Sequence, residues 1–200
     1  MSGSNQKTKA FIICSFIFLL APVLFGDSAY HDLVGKKAPT LTGKKAKSKG
    51  LMALSKLMTE LSYKKDKTGK FIEKNGKYVL EIKKNVVILN FFSTDCIPCL
   101  KEIPTYNRLA KKYINQPVKM IYVNVDAGIT DLEMGHFIIQ RGIKVPMMLP
   151  NQKEAMRKYK AFTLPRMVII NREGKVYKII TGFNEDLESE LSTLIEKLIL

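Results

Sequence analysis

The sequence contains no tryptophan, only two histidines and only three cysteines among its 200 residues. Three cysteines are too few for a small fold that is held together by several disulfides. No second CxxC pair and no paired histidines are present to complete a tetrahedral zinc site, so no metal centre is predicted. Any cysteine chemistry must therefore depend on very few sulfur atoms.

Acidic residues are also scarce, since 18 Asp and Glu face 33 Lys and Arg and leave a net charge of +15. Residues 36–70 hold 11 lysines against Glu60 and Asp66, so more than half of the excess lies in one stretch. A lysine run of this kind is typical of a solvated surface insertion, and no basic motif interleaved with aromatic residues indicates a nucleic-acid partner. An acidic protein partner or an anionic membrane surface stays open for residues 36–70.

Long apolar runs are limited to one segment near the N-terminus. Phe11–Phe25 is apolar apart from Ser15, follows Lys7 and Lys9, and precedes several small residues. This order is typical of a secretory signal, and 15 residues is short for a membrane span, which needs roughly 17–25. We expect residues 1–29 to be a cleaved signal peptide or, alternatively, an uncleaved membrane anchor. Either outcome places the rest of the chain in the periplasm or another extracytoplasmic space.

The remaining chain divides by composition into a basic N-terminal extension, residues 30–70, and a domain of residues 71–200. In the extension, apolar residues recur every three or four positions and predict a short amphipathic helix; they are Leu51, Leu54, Leu57, Met58 and Leu61. Asn75-Gly76 predicts a hairpin turn at the start of the domain.

From residue 86 onward, buried strands alternate with helices. The predicted strands are Val86–Phe92, Val118–Val125, Val145–Leu149, Arg166–Ile170 and Val176–Thr181, and the predicted helices are Ile97–Tyr113, Asp131–Arg141, Gln152–Tyr159 and Glu185–Leu200. Asn184 is the expected cap of the last helix. This alternation predicts an α/β fold in which a mixed central sheet is flanked by helices.

Cys96-Ile97-Pro98-Cys99 falls between the first of these strands and the helix that follows it. A CxxC can be half of a zinc site, a haem attachment point or a redox pair, and Leu100 in place of His argues against haem attachment. A sulfur at a helix N-terminus is stabilised as the thiolate, which is the nucleophile in disulfide exchange. Cys96 is therefore the predicted nucleophile and Cys99 the resolving thiol. Pro98 fits the first helical turn, where its missing N–H costs nothing.

The run from Val86 to Pro104, including its C-x-x-C-x-x-E-x-P pattern, resembles the TlpA/ResA-like thiol-disulfide oxidoreductases of the thioredoxin superfamily. Gly35-Lys36-Lys37-Ala38-Pro39 and Val123-Asn124-Val125-Asp126 are also similar to segments of that family. The resemblance implies a thioredoxin fold and, at Leu164-Pro165, a cis-proline that faces the cysteines. It also implies that Leu164 and Pro165 bind the main chain of an extended substrate.

The same resemblance places Glu102 beside the active site, where we expect it to transfer protons. Two positions depart from the family pattern: Asp95 stands where Trp is usual, and Arg166 stands where Thr is frequent. If both lay near Cys96, the acid would disfavour the thiolate and the guanidinium would favour it. Asp95 and Arg166 are therefore candidate redox-tuning residues, and Pro98, which lies between the two cysteines, is a third.

The expected function is that of an extracytoplasmic thiol-disulfide oxidoreductase that reduces protein disulfides without a metal or organic cofactor. The resemblance suggests apocytochrome c as the substrate, in cytochrome c maturation, and a membrane protein as the electron donor. Two alternatives stay open. One is a peroxiredoxin-like peroxidase, because Ser93 stands three residues before Cys96, and the other is a non-catalytic binding module with a thioredoxin fold.

Overall fold

A seven-stranded mixed sheet organises residues 32–200, which are the residues that the computed structural model describes. The expected signal peptide or anchor in residues 1–29 lies outside the described residues. The strands of the sheet, in chain order, are β1 (Thr42–Lys45), β2 (Leu51–Ala53), β7 (Val86–Phe92), β8 (Val118–Asn124), β9 (Met147–Pro150), β10 (Arg166–Ile170) and β11 (Val176–Thr181). Their spatial order is β11-β10-β7-β8-β9-β1-β2, with β7, β8 and β9 parallel and the other neighbours antiparallel.

Five helices accompany the strands in the described part of the chain. They are α1 (Leu54–Met58), α2 (Ile97–Lys112), α3 (Asp131–Gln140), α4 (Gln152–Tyr159) and α5 (Leu187–Ile199). The first helix is much shorter than the other four. Within residues 32–200, none of the helices is long and apolar enough to cross a bilayer.

β7 is buried along its whole length because the sheet is covered on both faces. Its alternate residues Ile88 and Phe92 belong to a core cluster with residues of α2, α3 and α5, whereas Leu89 and Phe91 belong to a second cluster with residues of α4. Each such buried side chain contributes roughly 1.5–3 kcal/mol. The predicted α/β fold with a mixed sheet is therefore confirmed.

The region around α1 differs from the predicted helix. Helical structure is confined to Leu54–Met58, while Leu51 lies in β2 and Leu61 in β3 (Thr59–Tyr63), and both of these leucines are largely exposed. The flanking residues Ala53 and Thr59 have extended backbone angles. The predicted short helix is therefore present only at its centre, because sheet hydrogen bonds to β1 and β6 (Leu80–Lys84) hold both flanks in strands.

The last helix also begins later than predicted. Asp186, not Asn184, occupies the N-cap position of α5, although its side chain makes no capping hydrogen bond. The side chain of Asn184 instead accepts a hydrogen bond from the backbone N–H of Asp186 at 2.9 Å. Asn184 thus orders the turn that precedes the helix.

β3 and β6 form a separate two-stranded ribbon that carries a small hairpin at its end. The hairpin pairs β4 (Glu73–Lys74) with β5 (Lys77–Tyr78), as the Asn75-Gly76 turn predicted. Positive φ angles of 52° and 72° at these two turn residues match the hairpin turn that favours Asn-Gly. Three exposed aromatic rings, those of Tyr63, Phe71 and Tyr78, contact one another edge to face at the end of the ribbon.

β1 packs so closely on β9 that glycine is needed at position 43. A Cβ atom added to Gly43 would lie 2.6 Å from the carbonyl oxygen of Leu149. The basic segment before α1 is therefore part of the central sheet, next to β9.

Candidate active site

The redox pair lies shortly after β7, which is buried along its whole length. β7 ends at Phe92, a short loop follows, and Cys96 is the N-cap of α2. The helix begins at Ile97, so Pro98 lies in its first turn, where no intrahelical partner for its backbone nitrogen is required.

Cys96 and Cys99 form a disulfide with a Cα–Cα distance of 5.2 Å. The Cys96 Sγ also accepts a hydrogen bond from the backbone N–H of Cys99 at 3.2 Å, so the sulfur occupies the capping position of the helix. Cys96 is partly exposed, whereas the side chain of Cys99 is only 2% exposed. A substrate disulfide can therefore reach Cys96 much more easily than Cys99.

The loop before Cys96 is tied to the neighbouring strand by Asp126, which the sequence interpretation assigned no role. The carboxylate of Asp126 accepts a hydrogen bond from the Thr94 backbone N–H at 3.0 Å and one from Asn124 Nδ2 at 2.7 Å. Burial raises the pKa of Asp126, but hydrogen bonds from Ser93, Asn124 and Thr94 outweigh burial and leave the pKa below its ordinary value. The ionised carboxylate thus fixes the loop that leads to Cys96. Two sequence signals pointed to this position: it follows a buried parallel strand, and it ends the Val123–Asp126 segment that resembles the family.

Glu102 lies one turn after Cys99 on α2 and is only 2% exposed. Burial raises the pKa of its carboxyl from 4.5 to about 7, although hydrogen bonds from the Asn90 side chain and the Asn184 backbone oppose the change. Residues three apart on a helix lie on the same face, which places this carboxyl on the side of Cys99. A group that titrates near neutrality can both take up and release a proton at ordinary pH.

The buried environment of Glu102 contains further polar atoms. Within the described residues, Asn90 Oδ1, Glu102 Oε2 and the Tyr122 hydroxyl have no hydrogen-bond partner. Burial and the negative charge of Glu102 raise the pKa of Tyr122 far above its ordinary value, so its hydroxyl remains protonated. Tyr106, which is completely buried, donates a hydrogen bond to the Ile88 carbonyl at 3.0 Å. A negative charge on Glu102 would be costly here, because its buried Oε2 atom has no hydrogen-bond donor among the described residues. The protonated, uncharged form of Glu102 is therefore favoured.

The Leu164–Pro165 peptide bond is cis, as the resemblance implied. Pro165 is buried and immediately precedes β10, while Leu164 remains partly exposed. Leu164 and Cys96 both pack against the core cluster that contains Cys99.

Asp95 and Arg166, two of the three candidate redox-tuning residues, occupy very different environments. Asp95 is exposed, and its backbone N–H donates to Ser93 Oγ at 3.3 Å. Arg166 is completely buried, and its guanidinium donates to the Tyr159 carbonyl and to Thr181 Oγ1, each at 2.9 Å. These contacts lie on the α4 side of the sheet, whereas Cys99 packs on the α2 side. An effect of Arg166 on the cysteines would therefore act across the sheet.

Apolar side chains near the disulfide are unusually exposed. Ile97, between the cysteines, is 67% exposed, and Phe183 is 44% exposed. Lys101, on the first turns of α2, lies over the Phe183 ring with its Nζ 5.7 Å from the centroid. The sequence interpretation missed Phe183, because its position beside α2 depends on a contact between residues that are far apart in the chain. Ile97 and Phe183 therefore offer exposed apolar surface beside the first turns of α2.

A thioredoxin fold that presents a partly exposed cysteine and a buried partner at the start of a helix, with a cis-proline before a neighbouring strand, defines a class of enzymes, the thiol-disulfide oxidoreductases. The chain belongs to the Redoxin family, whose model matches residues 33–195.

Curated relatives carry the name thiol-disulfide oxidoreductase ResA. The protein from Bacillus subtilis is 34% identical over 110 residues, which cover 54% of this chain and 60% of that protein. The protein from Bacillus thuringiensis is 32% identical over 133 residues, which cover 66% of this chain and 72% of that protein. The chain therefore aligns with only about two thirds of the length of these relatives.

Solved structures with the same fold have lower identity. A thiol:disulfide interchange protein from Chlorobium tepidum has a TM-score of 0.59 at 18% identity and covers 82% of this chain and 96% of its own. The thioredoxin domain of a thiol-disulfide oxidoreductase from Bacteroides vulgatus has a TM-score of 0.59 at 17% identity, covering 81% of this chain and 97% of its own. These similarities support the fold.

Proposed function

We propose that this protein reduces disulfides of other proteins outside the cytoplasm by cycling Cys96 and Cys99 between the dithiol and the disulfide. The observation that carries the proposal is the asymmetry of the pair. Cys96 caps α2 and is partly exposed, while Cys99 is buried behind it. An accessible attacking sulfur and a shielded resolving sulfur are what sequential thiol-disulfide exchange requires.

The reaction begins with the reduced protein. The Cys96 thiolate attacks one sulfur of the substrate disulfide and forms a mixed disulfide, and the other substrate sulfur leaves as a thiolate. Cys99 then attacks Cys96, which restores the Cys96–Cys99 disulfide and releases the second substrate sulfur. Two electrons pass from the protein to the substrate.

We assign Glu102 to the proton transfer that the second step needs. Cys99 is buried and must lose its proton before it can attack, and Glu102 is the buried carboxyl one helical turn away. Its pKa of about 7 allows it to accept that proton at neutral pH and to return it when the pair is reduced again.

Substrate binding is assigned to Leu164, Pro165 and the exposed apolar surface of Ile97 and Phe183. Leu164 is partly exposed and packs against the same core cluster as Cys96. An extended substrate segment can form main-chain hydrogen bonds there while its apolar side chains contact the neighbouring surface. The candidates for tuning the reduction potential of the cysteine pair remain Asp95, Pro98 and Arg166.

The natural partners follow from the family resemblance. The proposed substrate is apocytochrome c with an oxidised haem-binding motif, and the proposed electron donor is a membrane protein that reduces the Cys96–Cys99 disulfide. The extracytoplasmic location is supported by the charged and apolar pattern before residue 29. A reporter fused after residue 60 should be active outside the cytoplasm, and activity only in the cytoplasm would contradict this location.

Serine variants of the two cysteines test the proposed activity. Cys96→Ser should abolish reduction of insulin disulfides, whereas Cys99→Ser should accumulate a mixed disulfide with the substrate, because attack remains possible and resolution does not. Mass spectrometry of the trapped adduct measures the second result. Exchange activity in Cys96→Ser would overturn the assigned order.

The reduction potential of the pair distinguishes the direction of the reaction. A reduction potential of about −270 mV, as in thioredoxin, supports a reductase, and one of about −120 mV indicates an oxidant. Turnover of hydrogen peroxide faster than of insulin would instead support a peroxidase. Binding of partners by the double serine variant without any exchange activity in the wild type would support a binding module.

A further inference from the structure

A cavity of about 1000 Å³ opens between the C-terminal half of α2 and the β2–α1 segment. Its apolar lining includes Met52, Leu57, Ala110, Val118, Met120 and Val145. Its volume lies at the upper end of the range of about 300–1000 Å³ that is common for small-molecule sites. Leu51 and Ile114, which also line it, are 72% and 75% exposed, so apolar surface continues to solvent.

The charged groups of this cleft all have one sign. The cations that line it are Lys45, Lys56, Arg108, Lys111, Lys119 and Lys144, and no acidic side chain of the described chain lines it. Arg108 forms an ion pair with Glu188, and Lys119 forms one with Glu60. Among residues 32–200, the other four lysines have no carboxylate within ion-pair distance.

The cleft is separate from the redox pair. The α2 residues that line it begin at Asn107, which lies 11 residues after Cys96. At 1.5 Å per helical residue, about 16 Å separates the two along the helix axis. A ligand in the cleft would not contact the sulfur atoms, so this site is independent of the proposed exchange reaction.

We propose that the cleft binds a single-chain anionic amphiphile, in which an acyl or alkyl chain carries a carboxylate or a phosphate head. Binding is favourable because the apolar lining removes the ligand's chain from water. The lysines without a carboxylate partner attract the anionic head group. A cationic head would meet four lysines that have no carboxylate partner within residues 32–200, and no carboxylate of the described lining would attract it. The charge of the lining therefore selects among amphiphiles that have the same chain.

Binding of matched amphiphiles to the oxidised full-length protein tests the proposal by isothermal titration calorimetry below each critical micelle concentration. Dodecanoate or dodecyl phosphate should bind at least tenfold more tightly than dodecyltrimethylammonium, and the tighter of the two anions identifies the preferred head. Decanoate should bind about 15-fold more weakly than dodecanoate, because each buried methylene contributes about 0.8 kcal/mol. Equal affinity for the anionic and cationic amphiphiles, or no binding below the micelle concentration, would overturn the proposal.

Variants locate the binding to the cleft. Lys56→Glu should weaken binding of dodecanoate about fivefold, whereas Lys153→Glu, which reverses an exposed charge outside the lining, should leave it unchanged. Ala110→Leu should weaken binding at least tenfold by filling part of the cavity. If Ala110→Leu does not fold, the two lysine variants still decide the question. Equal affinity of Lys56→Glu and Lys153→Glu would show that the ligand binds elsewhere.

Discussion

Replacement of the buried carboxyl by an amide, Glu102→Gln, should remove a pH dependence from the stability of the oxidised protein. The pKa of Glu102 is raised from 4.5 to about 7 in the folded chain, so the folded state holds a proton that the unfolded state releases. A raised carboxyl pKa makes the folded state most stable below the unfolded value, and this stability is lost as pH rises through the folded value. Between pH 5 and pH 8 the expected loss is about 2–3 kcal/mol.

Urea denaturation at pH 5, 6, 7 and 8 measures this difference for the wild type and for Glu102→Gln. The disulfide must remain intact so that the thiols do not titrate. Glu185→Gln, which replaces an exposed glutamate, is the matched control and should follow the wild type at every pH. A difference between the wild type and Glu102→Gln that stays constant from pH 5 to pH 8 would refute the assigned environment of Glu102.

Five further substitutions test the packing that positions the site. Asp126→Asn should reduce the free energy of unfolding by about 1–2 kcal/mol at neutral pH, because the hydrogen bond to the Thr94 backbone N–H loses its charge; chemical denaturation measures this, and an unchanged midpoint would contradict it. Leu54→Ala should reduce the free energy of unfolding by about 2–5 kcal/mol, since this side chain is 1% exposed. Leu51→Ala should change it by less than about 0.5 kcal/mol, since this side chain is 72% exposed. Equal losses in the two variants would be inconsistent with the structure. Gly43→Ala should destabilise the fold by about 1–3 kcal/mol, because the added Cβ would collide with β9. Gly135→Ala, in the middle of α3, should stabilise the fold by about 0.5–1 kcal/mol, because Ala favours the helix more than Gly does. Thermal melting of both variants measures the contrast.

The elements from residue 86 onward could be predicted because their patterns are local. Val86–Phe92 was predicted with its observed limits, since a continuous apolar run between turn residues is typical of a strand buried on both faces. The helix after Cys96 was predicted to within one residue at its end. The two cysteines and the cis bond at Pro165 were found from a motif and a family resemblance, which are also properties of short segments.

The parts that sequence reasoning missed depend on contacts between distant residues. The leucines at 51–61 have helical spacing, yet pairing of β2 with β1 and of β3 with β6 decides their structure. Asp126 acts on a loop 32 residues earlier in the chain, and Phe183 reaches Lys101 from the other end of the domain. The environment of Glu102 depends on Asn90 and Tyr122, which lie on two different strands. No periodicity in the sequence encodes such pairings.

The aromatic cluster of the ribbon offers a local optical reporter, because the chain contains no tryptophan. Phe71 contacts both Tyr63 and Tyr78 and is 51% exposed, so a Phe71→Trp substitution would place the sole indole of the protein at the end of the ribbon. Its emission, excited at wavelengths that tyrosine does not absorb, would report on the ribbon alone. Binding of a partner to the basic N-terminal extension could then be followed in the same sample as reduction of a substrate disulfide, because the two signals would be independent.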